Sequence, residues 1–177
     1  MSGEDEWWEV VDADGVPVGS TFRRGAPNWP VGRFHVIVAV CVQRDDGAVL
    51  LTKRAADKKE FPLAWEFPGG SAWAGESSRE AASRELVEET GIAVTPESLQ
   101  WVGRVVEASA LLDFYVARRP SEADVILQLS EVAAAEWATV HEVGRLLSAG
   151  EMAAPWTARL GALWPRVLEA IDSDLIS

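Results

Sequence analysis

Three glutamates, Glu85, Glu88 and Glu89, are spaced i, i+3, i+4, so on a helix their carboxylates project from one face. Three neighbouring anions repel one another, and the arrangement is costly unless a cation neutralises them. A hard divalent ion is the natural neutraliser. Mg²⁺ suits such a site because it takes oxygen ligands, keeps several waters and bridges carboxylates to substrate phosphates; Mn²⁺ is the close substitute. A solvated acidic helix face is the plain alternative for a run of glutamates. The surrounding residues decide between them. The stretch Gly70 to Ile92 reads GSAWAGESSREAASRELVEETGI. It places Gly70, Glu76, Arg84, Glu85, Leu86, Glu88, Glu89, Gly91 and Ile92 in the order G, five residues, E, seven residues, R-E-apolar-x-E-E-x-G-apolar. With average residue usage that combination arises by chance with a probability on the order of 10⁻⁷ or less, so coincidence is set aside.

The elements that must present these groups are legible locally. Ser77-Ser78-Arg79-Glu80 is an S-x-x-E capping box that opens a helix. Gly91 stands where a left-handed residue would close it. Between them, Ala81 to Glu89 is rich in helix formers and free of proline. The stretch is read as loop, helix, loop.

This stretch resembles the signature box of the Nudix hydrolases, enzymes that cleave a nucleoside diphosphate linked to another moiety or a related organic diphosphate. The approach to it, Trp65-Glu66-Phe67-Pro68-Gly69-Gly70, resembles the same segment of the mutator-type nucleoside triphosphate pyrophosphohydrolases. The resemblance implies that Glu85, Glu88 and Glu89 hold Mg²⁺ or Mn²⁺, with the Gly69 carbonyl as a further ligand, and that Arg84 and Glu76 orient the loop and the glutamates. The implied reaction is attack of water on a diphosphate phosphorus, with metal polarising the phosphoryl oxygens and lowering the pKa of the water. Glu85 or Glu89 is expected to take the proton, and Glu131 and Glu136 are the candidates for a base outside the box. Arg54, Trp73 and Gly70 are the expected substrate contacts. Lys58 and Lys59 extend the basic cluster begun by Arg54 or are solvated loop residues. Trp65, Trp73, Trp101, Phe114 and Trp137 lie on segments that could offer a face to a nucleobase. Large aromatics are mostly buried for their area, and of these Trp73 is the one expected to meet a ligand.

Composition narrows the partners. A length of 177 residues suits one domain with a full core. A net charge of −12 argues against a nucleic-acid polymer, which calls for a basic face, and leaves small phosphorylated substrates open. The single cysteine, Cys41, falls in an apolar run and reads as a buried small hydrophobe. The N-terminal Met1-Ser2-Gly3-Glu4-Asp5-Glu6 is acidic where a signal peptide would be basic. The longest strongly apolar run, Phe34 to Val42, is shorter than the ~20 residues a spanning helix needs. A cytoplasmic protein with no membrane partner is expected.

Along the chain, Trp8 to Asp12 and Val16 to Arg23 flank the hairpin signal Asp14-Gly15, and Phe34 to Gln43 and Ala48 to Arg54 flank Asp45-Asp46-Gly47. Strands are expected over Leu99 to Ala108, Leu111 to Ala117 and Ala133 to Ala138. Thr139 to Glu142 is a second capping box, opening a helix that Gly150 can close. Leu160, Leu163, Trp164, Val167, Leu168 and Ile171 form an apolar helical stripe. The expected organisation is a hairpin extension over 1–30, a core over 34–150 containing the box at 70–92, and a C-terminal helix over 155–173, all in one domain. The resemblance covers roughly Phe34 to Leu147 and implies an α/β class, an α/β/α sandwich with a central mixed sheet.

The leading hairpin and the segment Arg54 to Gly70 also resemble a subgroup related to isopentenyl diphosphate isomerase. Isomerisation, as that family implies it, needs a cysteine near Pro68-Gly69, and Glu66 to Ser71 contains none. A second rival is a binding module of the same fold that senses a nucleotide metabolite without turning it over. Such modules commonly lose box carboxylates, and here all are present. The Trp7-Trp8 pair on the first hairpin would expose a large apolar area, so a homodimer using that hairpin is expected.

Overall fold

The computed structural model describes residues 6–119 and 124–172. The acidic residues 1–5 and the last position of the helix expected over 155–173 lie outside them.

The first hairpin pairs β1 (Trp7–Val11) with β2 (Pro17–Arg23). Its turn is closed by Asp12, whose Oδ1 accepts from the Asp14 and Val16 N–H groups at 3.0 and 2.9 Å, and by Gly15 at φ 84°, a conformation glycine adopts without steric cost. The remaining strands are β3 (His35–Arg44), β4 (Val49–Arg54), β5 (Trp65–Glu66), β6 (Gly69–Ser71), β7 (Gln100–Val106), β8 (Ala110–Arg119) and β9 (Val132–Ala138). They build one sheet in the order β5-β4-β3-β8-β7, with β6 added to β3 and β9 to β4. Among the strands of the described residues only β3 and β8 run parallel, in register from His35↔Ala110 to Arg44↔Arg119, and the other pairs are antiparallel. The sheet is therefore mixed. β3 is rich in Val and Ile and buried along most of its length, as a central strand covered on both faces requires.

Strand alternation divides the core in two. On one face Val38, Val40 and Val42 of β3, Leu50 of β4 and Tyr115 of β8 pack against Ala81, Ala82 and Leu86 of α1 (Ser78–Thr90). On the other, Ala39, Cys41, Leu51, Leu112, Phe114 and Val116 pack against Val143 and Leu146 of α2 (Val140–Ser148) and against Trp156, Leu160, Leu163 and Val167 of α3 (Pro155–Asp172). The expected α/β/α arrangement is the observed one. Both capping boxes form, Ser77 with Glu80 and Thr139 with Glu142. Gly91 ends α1 at φ 71°, its N–H bonding the Val87 carbonyl. Gly150 ends α2 at φ 70°, with Gly150 N–H to Leu147 O at 3.2 Å and Glu151 N–H to Leu146 O at 3.0 Å, the paired bonds of a Schellman closure.

The first hairpin is not a free extension. Trp8 stacks on His35 at 4.0 Å between ring centroids, and Trp29 meets both edge-on. Phe22 meets Trp29 at 4.8 Å. Burial lowers the His35 pKa to about 4, so the imidazole is neutral in this apolar stack. The apolar area that motivated a partner chain is thus partly covered within the chain, and Trp7 is left half exposed. No helix among the described residues is long and apolar enough to cross a membrane.

Candidate active site

The box folds as loop and helix against the short strand β6. Register pairs Gly70 with Val38 and Gly69 with Ala39. Val40 N–H donates to the Pro68 carbonyl and Ala72 N–H to the Val36 carbonyl, each at 2.9 Å, so the alternation of the antiparallel ladder turns the Gly70 backbone toward β3 and the Gly69 backbone away from it. The Gly69 N–H donates instead to Glu89 Oε2 at 3.1 Å, and its carbonyl is not spent on the ladder. Close approach requires glycine at 69, where backbone stands opposite, and at 70 leaves the room that the Glu85 carboxyl group fills. A Cβ on Gly69 would stand 2.0 Å from the Val38 carbonyl oxygen, and one on Gly70 would stand 2.4 Å from the Glu85 carboxyl group. For Gly70, expected to contact substrate, the structure gives a packing role. Its backbone pairs with Val38, and its missing side chain is what admits Glu85. Gly70→Ala is therefore expected to push Glu85 aside and cut kcat about 100-fold, as a displaced catalytic group does, while the far-ultraviolet circular dichroism stays that of the parent. Parent-like turnover would show that Glu85 need not lie against β6.

Arg84 is the hub of the loop. It forms a bidentate pair with Glu76, Nε to Oε1 and Nη2 to Oε2, both at 2.9 Å, and donates to Glu85 Oε1 at 2.9 Å, Glu88 Oε2 at 3.1 Å and the Ser71 carbonyl at 2.9 Å. Glu76 Oε2 also accepts from the Trp73 N–H at 2.9 Å. The guanidinium lies 3.8 Å over the Trp73 ring, a cation–π contact. Trp73, expected to touch substrate, has one ring face occupied by Arg84 and acts as its platform.

The carboxylates differ in environment. Glu89 is 8% exposed and Glu88 is solvent-facing. Burial pushes Glu85 up to about 7, against the pull of Arg84. Burial pushes Glu89 well above the usual carboxyl range, and the charges of Glu66 and Glu85 push it further. Glu66 is raised by burial too, with Arg54 opposing. Among the described residues no three carboxylates converge on one point as a finished metal cage; Glu85 and Glu88 both accept from Arg84 Nη1. The donor set nevertheless suits a hard cation: it is all oxygen, it is crowded, and burial raises the proton affinity of Glu85 and Glu89, a cost that a bound cation would offset.

The other expected residues divide by sheet face. Thr52 pairs with Glu66 across β4 and β5, which puts Glu66 on the α1 side with Leu50. Arg54 joins it there, donating to Glu66 Oε1 at 2.8 Å and to the Glu60 carbonyl at 2.9 Å. Lys58 pairs with Glu131, whose charge also reaches Glu89. Lys59 is exposed. Glu136 faces the other way: it sits opposite Leu51, which belongs to the α3-side core, and the structure does not bring it to the box. Trp65 and Phe114 are likewise buried in the α3-side core, and neither offers a face to a ligand. Trp137 packs at the α1-side core under Arg44. Trp101 is half exposed on β7, 3.5 Å from Asp113.

Two carboxylates beside the box were not singled out from the sequence. Glu66 follows a buried Trp65, and the alternation of a strand would have aimed it at the opposite face. Glu6 reaches Glu85 with its charge only because the first hairpin docks on the box, which no local pattern announces.

Comparison with known proteins places this geometry. Residues 33–160 match the NUDIX domain family. An uncharacterized Nudix hydrolase of Listeria monocytogenes is 32% identical over 148 residues, covering 82% of this chain and 87% of its own. An isopentenyl-diphosphate Delta-isomerase of Nocardia farcinica is 34% identical over 164 residues, covering 86% and 90%. A crystal structure of a Deinococcus radiodurans protein superposes with a TM-score of 0.70 at 24% identity, covering 84% of this chain and 92% of that one, and so shares its fold. With the family match spanning most of its length and the box carboxylates gathered on α1, the chain belongs to the Nudix family of pyrophosphohydrolases.

Proposed function

We propose that the chain is a Mg²⁺- or Mn²⁺-dependent hydrolase that cleaves the diphosphate linkage of a nucleoside diphosphate derivative or a related organic diphosphate by attack of water at phosphorus. The observation that carries this reading is the complete set of box carboxylates, buried in part and pressed against β6 by glycines at 69 and 70. Glu85, Glu88, Glu89 and the Gly69 carbonyl would hold the metal. When bound, it supplies charge neutralisation at the phosphoryl oxygens and a more acidic water. Arg84 and Glu76 set the loop and the orientation of Glu85. Glu85 or Glu89, the buried carboxylates of the box face, would take the proton from the attacking water. Arg54, tied to Glu66 beside Glu89, would meet a phosphoryl oxygen.

The isomerase reading is favoured by the Nocardia relative and opposed by the thiol chemistry. The single cysteine, Cys41, is fully buried in the α3-side core, and burial pushes its thiol up to about 12. It sits on the sheet face away from α1. A panel of nucleoside triphosphates, ADP-ribose, nucleotide sugars, dinucleoside polyphosphates, coenzyme A and isoprenoid diphosphates separates the readings. Metal-dependent release of phosphate or nucleotide from one class is expected. Rearranged isoprenoid diphosphate without hydrolysis would favour the isomerase, and binding without turnover would favour a sensor.

The carboxyl environments also set a pH dependence. An unfolded glutamate releases its proton near 4.5 and folded Glu85 near 7, so between those values the folded state binds more protons and stability falls as pH rises. The shift corresponds to on the order of 3 kcal/mol for Glu85, and Glu89 adds in the same direction. In chelator, the melting temperature is expected to drop between pH 5 and 8. Mg²⁺ is expected to raise it more at pH 8 than at pH 5. A melting temperature that climbs with pH in chelator would show that the carboxylates are not held neutral.

A further inference from the structure

The cations nearest the box are already engaged. Arg84 is shared among Glu76, Glu85, Glu88 and Ser71, Arg54 is shared between Glu66 and Glu60, and Lys58 is paired with Glu131. An anionic substrate approaching a chain of net charge −12 needs a cation it can reach without dismantling the loop.

The first hairpin carries one. It docks on the box loop between Gly70 and Glu76: Ala74 N–H donates to the Trp7 carbonyl at 2.7 Å, and Gly75 N–H to Glu9 Oε2 at 3.3 Å. At the mouth of the hairpin, Arg24 N–H bonds the Glu6 carbonyl at 2.9 Å, and Arg24 Nη1 meets Glu6 Oε2 at 2.7 Å. Among the described residues that is the only side-chain hydrogen bond of Arg24, whose side chain is 48% exposed. Glu6 directly precedes Trp7, whose carbonyl takes the Ala74 N–H, so the pair stands beside the box loop. A single-point, half-solvated ion pair is weak, so its guanidinium can be taken over by a better anion with little loss. A phosphoryl group is such an anion, because two of its tetrahedrally arranged oxygens can accept from two N–H donors of the planar guanidinium at once.

We infer that Arg24 is a substrate-binding residue supplied by the first hairpin, held by Glu6 in the free enzyme and passed to a phosphoryl oxygen of the bound diphosphate. This rests on the diphosphate hydrolase reading and adds to it: the hairpin is a wall of the site, and Glu6 sets how readily Arg24 is released. The two residues then have opposite effects on affinity. Removing Arg24 loses a contact, whereas removing the Glu6 charge frees Arg24 and also lifts a like charge from the site.

The test is calorimetric titration of the full chain with imidodiphosphate in Mg²⁺, for the parent, Arg24→Gln and Glu6→Gln, with melting temperatures recorded for each. Arg24→Gln is expected to weaken binding about five- to tenfold and Glu6→Gln to tighten it about two- to fivefold, sizes suited to a partly solvated charged contact. Unchanged affinity in Arg24→Gln would overturn the inference. So would weakening by both variants together, which is what a hairpin acting only as scaffold gives. Failure of the parent itself to bind imidodiphosphate would instead sink the diphosphate reading, and this inference with it.

Discussion

Glu89→Gln lowers kcat by about 10³-fold and leaves the metal-free protein as stable as the parent or more so. The first half follows from the metal assignment, since one ligand charge in a water-poor site is worth several kcal/mol of transition-state stabilisation, or about three decades in rate. The second half follows from burial. Glu89 is 8% exposed, and its neighbours Glu66 and Glu85 are also acidic, so the ionised carboxylate is a burden on the metal-free fold. An amide of the same size keeps an oxygen for the Gly69 N–H and removes the charge. The two halves are measured by steady-state turnover and by melting temperature at pH 8 in chelator. Mg²⁺ should no longer raise the melting temperature of the variant as it does the parent's. Full Mg²⁺-dependent activity in Glu89→Gln would show that Glu89 is not a ligand.

Arg84→Ala is the second large effect, and it strikes stability and rate together. The guanidinium makes five hydrogen bonds to four residues and its side chain is only 16% exposed, as are the pocketed carboxylates of Glu76 at 14% and Glu85 at 15%. Its removal strands two carboxylates without a counter-charge, a change that costs about 3–5 kcal/mol, or roughly 10 °C in melting temperature for a chain of this size. The loop from Ser71 to Glu76 loses its tie to α1, Trp73 loses the cation it carries, and kcat/KM is expected to fall at least about 100-fold. Arg84→Lys restores charge but not the fork. It should recover part of the melting temperature and little of the activity. Parent-like rate in the lysine variant would reduce Arg84 to a simple counter-ion.

How far the site could be read from residues alone depended on the range of the contacts that make it. The capping box at Ser77 and Glu80, the carboxylate face of Glu85, Glu88 and Glu89, and the closure at Gly91 are set by neighbours within a turn or two, and they lie where spacing puts them. The pairing of Arg84 with Glu76 spans one loop and was visible as a motif. The strands β5 and β6, two and three residues long, carry no periodicity. Their existence depends on β3 and β4 beside them. The same shortness hid Glu66, since its side follows from pairing with Thr52. Trp65 and Phe114 were plausible ligand faces only while the sheet face they occupy was open. Alternation tells which residues share a face, not which helix covers it. The first hairpin was legible from Asp14-Gly15, but its docking on Ala74 and Gly75, and with it the approach of Glu6 and Arg24 to the box, is tertiary. Arg54 is an intermediate case: the residue stood out, and the structure adds that Glu66 and the Glu60 carbonyl already hold it.

The central claim is metal-dependent attack of water at phosphorus, and it is tested most directly by turnover of the best panel substrate in ¹⁸O-labelled water, in Mg²⁺ and in chelator, with mass analysis of both products. The account requires one ¹⁸O atom in one phosphoryl product per turnover, and no product in chelator. Turnover that proceeds in chelator, or product that carries no label in its phosphoryl group, would contradict it.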